Sequence, residues 1–375
     1  MGDCDVPTPR LSDELCEEAL RLVAEHGGNV SRAAEAAGLN RATFAGRVSE
    51  ARRRKVGMVV TGRSTLTDLR TGEPVMEWVK ESLDRQKAQE ALEAAYGAMC
   101  AKLPRIAPTV PPRACKAHLC TLYSYFDYHV GMLAWNREGG DDWDLNISED
   151  TLHRSFATVV EQAPASEKAI VCIGGDWVHT DGLLPLTPAS KHLLDADGRF
   201  SKIVAVAIRG IRHLVARALE KHPIVELIVM EGNHDEAGSV WLRHMLAALY
   251  EDEPRLTVND SELPFYVSQW GDVMLGFHHG HKVKNEQLPL LFAAQFPKMW
   301  GNTTSRAIHC GHRHHVDEKE YNGVTVVQHP TLAARDAYAA RGGWIAERAV
   351  QAITYHSKFG QVGRVYVCPE MLRAA

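Results

Sequence analysis

The sequence lacks several features that would assign it to a common class. Its eight cysteines include no CxxC pair, which excludes the usual zinc-ribbon and thioredoxin signatures. No apolar run approaches about 18 residues, so we expect no transmembrane helix. Residues 1–10 are polar and acidic without an apolar core, so no secretory signal is predicted, and no internal repeat or low-complexity tract is evident. We therefore expect a cytoplasmic protein with reduced thiols and no membrane contact.

The chain also has little net charge, formally −5, and is no simple polycation. The charge is distributed unevenly, however. Residues 41–63 contain seven Lys or Arg and one Glu, a net +6, whereas residues 1–40 contain three Arg and eight acids, a net −5. A local basic surface of this kind is what contacts with nucleic-acid phosphates require.

The 375 residues, 45% of them hydrophobic, predict two or three domains. A Pro-rich stretch over 104–112 has the composition of a semi-rigid linker. The predicted organisation is a helical domain over 1–60, a wing-like hairpin and a helix over 61–103, a linker over 104–115 and an α/β domain over 116–375.

Before the linker, apolar periodicity predicts helices over 11–26, 30–37 and 41–54, with Asn40 capping the third. A hairpin turning near 70–73 and a further helix over 81–103 would follow. The three helices resemble a helix-turn-helix unit whose third helix recognises DNA, and five arginines would contact phosphates. They are Arg41, Arg47, Arg52, Arg53 and Arg54. The alternative is a small packing module with a solvated arginine face, and the sequence leaves both open.

After the linker, predicted strands alternate with helices. The strands are expected over 118–126, 169–174, 224–230, 273–278, 307–310, 324–328, 352–355 and 364–367. The helices are expected over 149–161, 202–221, 240–250 and part of 286–300. Because the later strands are closely spaced, we expect antiparallel additions, and hence a layered α/β (α+β) domain with two sheets or one mixed sheet.

Five short polar motifs follow predicted strands, where ligand sites of α/β folds collect. They are Asp127-Tyr-His129, Gly175-Asp176-Trp-Val-His179, Gly232-Asn233-His234-Asp235, His278-His279-Gly280-His281 and Cys310-Gly311-His312-Arg-His314-His315. Each motif is weak by itself. Together they supply carboxylate and amide oxygens and several imidazoles, a ligand set that suits two divalent transition metals.

In order and spacing, these motifs closely resemble those of the calcineurin-like metallophosphoesterases, over residues from about 118 to 330. The resemblance implies a two-sheet sandwich flanked by helices, with a two-metal site at the strand ends. It implies two ligand sets that share Asp176 as the bridge. The first is Asp127, His129, Asp176 and His314, and the second is Asp176, Asn233, His279 and His312.

The resemblance also implies the chemistry. Two metals about 3.5–4 Å apart would activate a bridging hydroxide and clamp the phosphate. We expect Mn²⁺, although Zn, Fe, Ni or Co fit the same ligands. His234 is predicted to protonate the leaving oxygen as a general acid. Asp235 could orient the imidazole of His234, or it could simply cap the helix that follows.

Several features favour a DNA phosphodiesterase, that is, a nuclease. His179 and the Asp127-x-His129-x-Gly131 pattern resemble the DNA-repair exonucleases of the family. The whole chain also resembles phage and prophage metallophosphoesterases with an N-terminal helix-turn-helix. The alternative is a phosphomonoesterase or cyclic-nucleotide phosphodiesterase whose helix-turn-helix docks or forms a homodimer. A DNA-binding regulator without activity is the third reading.

Two further segments could contribute to a substrate site. The irregular stretch over 182–200 could form a lid, or it could be surface decoration. Arg335, Asp336 and Arg341 could line a phosphate path, or they could form surface ion pairs.

Overall fold

The computed structural model describes residues 11–26, 30–55, 58–67, 74–83 and 107–374. The chain divides into two compact units, Met1–Glu93 and Ala94–Ala375, and each is described by itself. Residues 107–115, the described part of the expected linker, form no helix or strand. The finer domain limits stay a prediction.

The first unit contains three helices at the expected positions, α1 (Asp13–Glu25), α2 (Val30–Ala36) and α3 (Arg41–Lys55). Asn40 caps α3 as predicted, because its Oδ1 accepts a hydrogen bond from Thr43 N–H at 2.8 Å. Gly38 turns the chain before it with φ of 65°. The three helices pack around the buried Phe44 and Val48 of α3.

An antiparallel hairpin follows, formed by β1 (Met58–Thr67) and β2 (Pro74–Leu83). The expected helix over 81–103 is wrong at its start, because Glu81, Ser82 and Leu83 pair with β1 as strand residues. The remainder of that helix, residues 84–103, lies outside the described residues.

The second unit contains a six-stranded mixed sheet. Its strands are β3 (Lys116–Tyr125), β4 (Ser166–Ile173), β5 (Ile224–Val229), β6 (Leu256–Val258), β12 (Val350–His356) and β13 (Gly360–Val367). Their order is β13-β12-β3-β4-β5-β6. The strands from β3 to β6 are parallel, whereas β12 and β13 add as an antiparallel pair.

A second, five-stranded sheet has the order β10-β11-β9-β8-β7. Its strands are β7 (Tyr266–Trp270), β8 (Val273–Phe277), β9 (Ser305–Cys310), β10 (Asp317–Tyr321) and β11 (Val324–Gln328). The three inner strands are parallel, and the two edge strands pair antiparallel. The expected antiparallel additions are therefore confirmed.

The described helices of this unit are α4 (Asn136–Gly139), α5 (Leu145–Gln162), α6 (Phe200–Lys221), α7 (Glu236–Leu249), α8 (Leu288–Gln295), α9 (Pro297–Gly301), α10 (Ala337–Arg341) and α11 (Pro369–Ala374). Helices α5 and α6 cover the outer face of the six-stranded sheet, and α8 covers that of the five-stranded sheet. No described helix has both the length and the apolar character that a membrane span needs.

Alternating side chains explain how the layers form. Leu122 of β3 faces the other sheet and packs in one cluster with Leu275 and Phe277 of β8. Tyr123 and Tyr125 point the opposite way, toward α5 and α6. The predicted two-sheet sandwich flanked by helices is confirmed.

The eight expected strands are all present, and three others were missed. The strand β10 has the sequence Asp-Glu-Lys-Glu-Tyr and lies exposed at a sheet edge, so it lacks the apolar alternation that identifies a strand. The helix expected over 286–300 is divided into α8 and α9, because Pro297 has no N–H to continue the ladder.

Candidate metal centre

The expected ligands follow five strands whose carboxyl ends lie together. Asp127, Asp176 and Asn233 follow β3, β4 and β5 of the six-stranded sheet. His279 and His312 follow β8 and β9 of the facing sheet. Because these strands are parallel within each sheet, their ends line up along one edge. The sandwich then places the two edges side by side.

The backbone at these positions is unusual. Among the described residues, φ is positive at seven non-glycine positions, and five of them are expected ligands. The five are Asp127 at 53°, His129 at 51°, Asp176 at 51°, His312 at 71° and His314 at 57°. A conformation of this kind costs on the order of 1–3 kcal/mol per residue and persists only where the surrounding structure imposes it. Its concentration at one edge of the sandwich marks a functional site.

Two of the three groups with the spacing of metal ligands in the described residues consist of expected ligands; the third is His129, His179 and His234. Donor atoms of Asp127, His129 and His314 lie within 4.8 Å of one another, and those of Asp176, His279 and His312 do the same. Asn233 belongs with the second group, because its Oδ1 lies 3.3 Å from His279 Nε2. The structure therefore assembles parts of both ligand sets that the resemblance implies.

Each carboxylate has one oxygen held by the backbone. Asp127 Oδ2 accepts a hydrogen bond from His312 N–H at 2.8 Å. Asp176 Oδ1 accepts one from His234 N–H, also at 2.8 Å. The second oxygen of each carboxylate is thereby directed at the imidazoles.

The imidazoles are oriented in the same way. His279 Nδ1 lies 2.9 Å from the carbonyl oxygen of Gly174 and donates to it, so that Nε2 is the nitrogen turned toward Asp176 and Asn233. His129 Nδ1 lies 3.3 Å from Nδ1 of His179, and its Nε2 lies 3.4 Å from Nε2 of His314. A hydrogen bond at one ring nitrogen fixes which nitrogen is free to bind a metal.

The buried carboxylates create a field that attracts positive charge. Burial lowers the pKa of His279, but Asp176 and Asp127 raise it more, to about 10. The pKa of His314 is raised for the same reason, because Asp127 outweighs burial. Burial raises the pKa of Asp176, yet His279 and its neighbours hold it well below the ordinary value. Both carboxylates thus lie where a cation is favoured.

The fit to divalent ions can be judged at Asp127 Oδ1. This oxygen is buried and accepts no hydrogen bond from the described residues. It lies 3.3 Å from His314 Nε2 and 3.7 Å from His279 Nε2. A buried carboxylate oxygen without a donor is costly, and ligation to a metal would satisfy it. The oxygen and nitrogen donors, without thiolate, fit a pair of ions such as Mn²⁺ or Zn²⁺.

His234 lies beside these groups on the wall of a cavity. Its Nδ1 is 2.9 Å from the carbonyl oxygen of His179 and donates to it. Its other nitrogen is therefore free to hold or deliver a proton. The ring centroid of His234 is 4.7 Å from that of His129. This placement agrees with the expected general-acid role.

The expectation for Asp235 is corrected by the structure. The carboxylate neither contacts the imidazole of His234 nor caps α7. It is buried and accepts hydrogen bonds from four backbone N–H groups, those of Asp176, Trp177, Val178 and Gly232. Asp235 is a positioning residue that ties the loop after β4 to the loop after β5.

His179 is buried and is not among the residues that line the cavity. Burial and the charge of His234 lower its pKa to about 3, so the imidazole is neutral. Its ring contacts His129 and its carbonyl oxygen holds His234. Any effect of His179 on phosphodiester chemistry therefore passes through those two histidines.

Two residues that hold these loops were missed in the sequence. Asp181 accepts hydrogen bonds from the N–H groups of Ala237 and Gly238 at 2.6 Å each, and thus caps α7 from another loop. Thr331 donates its hydroxyl to the carbonyl oxygen of Asp127 at 2.6 Å. All three bonds join residues far apart in the chain, so no local pattern predicts them.

A cavity of about 1210 Å³ adjoins the metal residues. Its walls include residues of the stretch over 182–200, which the sequence presented as a lid or as decoration. Arg335 and Arg341 line it as well, and Arg341 forms an ion pair with Glu138 at 3.1 Å. Asp336 caps α10 through Ala339 N–H at 2.8 Å. The cavity thus extends well beyond the predicted ligands.

The residues expected to contact DNA are described only in part. Arg41 is exposed and Arg47 is partly buried, both on α3. The side chains of Arg52, Arg53 and Arg54 lie outside the part of the chain that the structure describes. DNA binding by this helix stays a prediction.

No protein-family model matches the chain, and no curated protein matches it. Similar solved structures include an archaeal phosphodiesterase, with 13% identity over 66% of this chain and 99% of that chain and a TM-score of 0.33. A conserved Streptococcus pneumoniae TIGR4 protein described as a predicted phosphoesterase has 10% identity over 63% of this chain and 83% of that chain, with a TM-score of 0.29.

The wild-type Vps29 of Entamoeba histolytica in complex with Zn²⁺ is also similar, with 13% identity over 66% of this chain and 98% of that chain and a TM-score of 0.27.

Proposed function

We propose that this protein is a calcineurin-like metallophosphoesterase that hydrolyses phosphodiester bonds of DNA with two divalent metal ions. The observation that supports this most directly is the pair of ligand groups at the strand ends. One contains Asp127, His129 and His314, and the other contains Asp176, His279 and His312.

Two divalent ions bound there would polarise the phosphate, lower the pKa of a water molecule and stabilise charge in an in-line transition state. The protein itself supplies orientation and a proton. Asp176, whose Oδ2 lies 3.2 Å from His279 Nε2, would bridge the two ions, and Asn233 would add an amide oxygen to the second group. His234 faces the cavity with its Nδ1–H engaged, which leaves Nε2 to protonate the leaving oxygen.

Two features favour DNA over a small phosphate ester. The stretch over 41–63 has a net charge of +6 and includes the whole of α3. The cavity of about 1210 Å³ exceeds the roughly 300–1,000 Å³ of small-molecule clefts. A strand with several nucleotides would use that space better than a single phosphoryl group.

The test is a cleavage panel with added Mn²⁺ on single-stranded, duplex and hairpin DNA, RNA, a cyclic dinucleotide and a nitrophenyl phosphate ester. We expect hydrolysis of DNA and a loss of about 10²- to 10⁴-fold in His234→Ala. The loss should be smaller for the nitrophenyl ester, because nitrophenolate leaves without a proton. His244→Ala, an exposed histidine on α7, is the matched control and should behave as wild type.

The outcomes separate the candidate functions. Turnover of small esters alone, with none on any form of DNA, would replace the nuclease proposal by a phosphatase or nucleotide hydrolase. No turnover with any of Mn, Zn, Fe, Ni or Co would contradict the enzymatic proposal altogether. Metal analysis of wild type and Asp176→Asn is an independent measurement, for which we expect two equivalents bound and a marked loss in the variant.

A further inference from the structure

Two aromatic side chains form a corner in the wall of the cavity. Tyr338 belongs to α10 and Trp344 follows it, and their rings meet edge to face with centroids 5.2 Å apart and an angle of 66°. Tyr338 is 66% exposed and Trp344 is 57% exposed. Both line the cavity that also contains Asp176 and His234. This pair, called the aromatic corner below, therefore presents open ring faces to any substrate in the cavity.

The aromatic corner is held in place by its surroundings. The ring of Trp344 lies over Gly342, so that a Cβ on this glycine would be 3.0 Å from the ring. Trp344 N–H donates to the carbonyl oxygen of Ala339 at 3.1 Å, and Asp336 caps the same short helix. Scattered exposed aromatics are common on proteins and need no explanation. A fixed pair in contact is different, because it offers a preformed surface at little cost in side-chain entropy.

The corner shares its cavity with the metal residues. Asp336, which directly precedes α10, lines this cavity together with His314 and Asp176. A phosphate at the metal centre would therefore have the aromatic corner within the same cavity, on the side of α10.

Positive charge accompanies the rings. The Arg335 guanidinium donates to the carbonyl oxygens of Gly139 and Trp344 at 3.2 and 3.5 Å. No carboxylate pairs with it among the described residues, so its charge remains available to an anion. Arg313 is exposed on the same cavity between two of the histidine ligands.

The acids of the cavity wall have mostly other partners. Asp141 pairs with Arg348 and Arg373, and Asp336 caps α10. Asp195 lies exposed on the stretch over 182–200. The surface around the aromatic corner thus combines open rings with available arginines.

We propose that the aromatic corner is a stacking subsite for an unpaired nucleobase of the strand whose phosphate lies at the metal residues, with Arg335 and Arg313 contacting neighbouring phosphates. This inference rests on the proposed function and names its substrate class, single-stranded nucleic acid or a frayed duplex end. Aromatic rings stack on any base, whereas the base faces inside a duplex are already covered. Arginines supply the sequence-independent attraction for the backbone.

The first experiment compares two single-stranded oligonucleotides of equal length, one with bases and one built from abasic sites. We expect the wild type to prefer the base-bearing strand in kcat/KM by roughly tenfold or more. In Tyr338→Ala and Trp344→Ala the ratio of the two kcat/KM values should fall toward one. Trp344→Phe should keep a ratio near that of the wild type, since phenylalanine still stacks.

The matched control is Phe359→Ala. Phe359 is similarly exposed but lies in the turn between β12 and β13. This turn is at the end of the sheet opposite to the metal residues, because His356 pairs with Leu119 near the start of β3. The control should keep the full preference. An unchanged preference in both alanine variants of the corner would overturn the subsite.

A second measurement detects stacking of a base on the aromatic corner in the absence of hydrolysis. A hexanucleotide with one 2-aminopurine is added to the full chain in EDTA, and quenching of its fluorescence reports contact with an aromatic ring. We expect quenching by wild type and Trp344→Phe, and its loss in the double variant Tyr338→Ala/Trp344→Ala. Because the variants leave residues 1–93 unchanged, any binding there is common to all samples. Equal quenching by all proteins would contradict the proposal.

The experiments test the phosphodiesterase function and the nucleobase subsite independently. If no phosphodiester is hydrolysed but quenching depends on the corner, the proposed function is wrong and the nucleobase subsite stands. If both strands are hydrolysed equally by all proteins and quenching is unaffected, the enzyme stands and the subsite is wrong. A higher kcat/KM for a free dinucleotide than for the hexanucleotide would contradict the proposal that the substrate is a strand.

Discussion

At the scale of single residues, hydrogen bonds decide which atom of each side chain is available for chemistry. Gly174 O engages Nδ1 of His279, and His179 O engages Nδ1 of His234. Nε2 of His279 is left toward Asp176 and Asn233, and Nε2 of His234 is left unengaged on a residue that lines the cavity. The same kind of backbone contact thus orients both the proposed metal ligand and the proposed proton donor, although the two residues are chemically identical.

Asp235→Asn should destabilise the protein by about 2–4 kcal/mol, because a carboxylate that accepts four backbone hydrogen bonds would be replaced by an amide that can accept at one atom only. The NH2 group of the amide would also face backbone N–H donors of the loops, from which it cannot accept a hydrogen bond. Urea denaturation measures the difference. Asp260→Asn, at an exposed aspartate, is the control and should change the free energy of unfolding by less than about 0.5 kcal/mol. Equal stabilities of the two variants would show that Asp235 does not hold the loops.

His222 predicts a pH dependence of stability far from the metal residues. It is buried, with Nε2 2.8 Å from Tyr123 Oη and Nδ1 2.9 Å from Ser166 Oγ. Burial lowers its pKa to about 4, below the ordinary 6.5. The unfolded chain therefore binds a proton first as the pH falls, and stability is lost through the window from about 6.5 to about 4.

We expect this residue to contribute a loss of up to about 3 kcal/mol across that window. His222→Gln should therefore flatten the dependence of unfolding free energy on pH, although other buried histidines preserve part of it. Denaturant titrations between about pH 7 and about pH 4.5 measure the slopes. His244→Gln, at an exposed position on α7, should keep the wild-type slope. Parallel curves for wild type and His222→Gln would contradict the assignment.

At the scale of elements, the loops after the strands are packed against one another too tightly for side chains at some positions. Gly232, in the loop after β5, faces the loop after β4, and a Cβ there would be 2.0 Å from Asp176 Oδ1 and 2.3 Å from Asp176 N. Asp181, from the loop after β4, caps α7. The loops therefore form one interlocked layer, which explains how five of the expected ligands keep a left-handed backbone.

Gly232→Ala should lower the affinity for Mn²⁺ by about 10- to 100-fold, because the added methyl group must displace Asp176. Hydrolysis of the nitrophenyl ester should fall with it. Gly182→Ala is the matched control, since a Cβ at Gly182 meets no atom within 4 Å. Calorimetric titration with Mn²⁺ measures both variants. Wild-type affinity in Gly232→Ala would show that the loop after β5 can move away from Asp176 without harm to the site.

At the scale of the whole molecule, the sandwich assembles one site from residues that lie far apart in the chain. Asp127 and His314 come from different sheets, and the packing of Leu122 against Leu275 and Phe277 sets the distance between those sheets. The metal residues occupy one edge of this sandwich. The N-terminal residues belong to the other compact unit, and DNA binding by that unit stays a prediction.

Replacing Arg52, Arg53 and Arg54 by Ala should weaken DNA binding and reduce the slope of log K against log salt by about 3, since each phosphate contact contributes about 0.9. Fluorescence anisotropy at several salt concentrations measures both quantities. Arg21→Ala, at an exposed position on α1, is the control. An unchanged slope in the triple variant would mean that these arginines form a solvated face.

Much of the fold followed from the sequence because its signals are local. Short apolar runs between turn residues located eight strands, and Asn40 identified the start of α3. Strand β10 was missed because a charged edge strand has no apolar face from which a strand could be predicted. The role of Asp235 was wrong for a different reason. Its partners after β4 are more than fifty residues away, and neighbours in sequence suggested His234 instead.

The sequence by itself determined the layered α/β class and the five polar motifs that follow strands, because strand periodicity and turn residues act over a few positions. It also contained the ligand types for two metals. Only the tertiary structure decided which nitrogen of each histidine is free, which loops Asp235 and Asp181 join, and that Tyr338 and Trp344 share a cavity with Asp176. These depend on strand order and loop paths, which bring together residues that no local pattern connects.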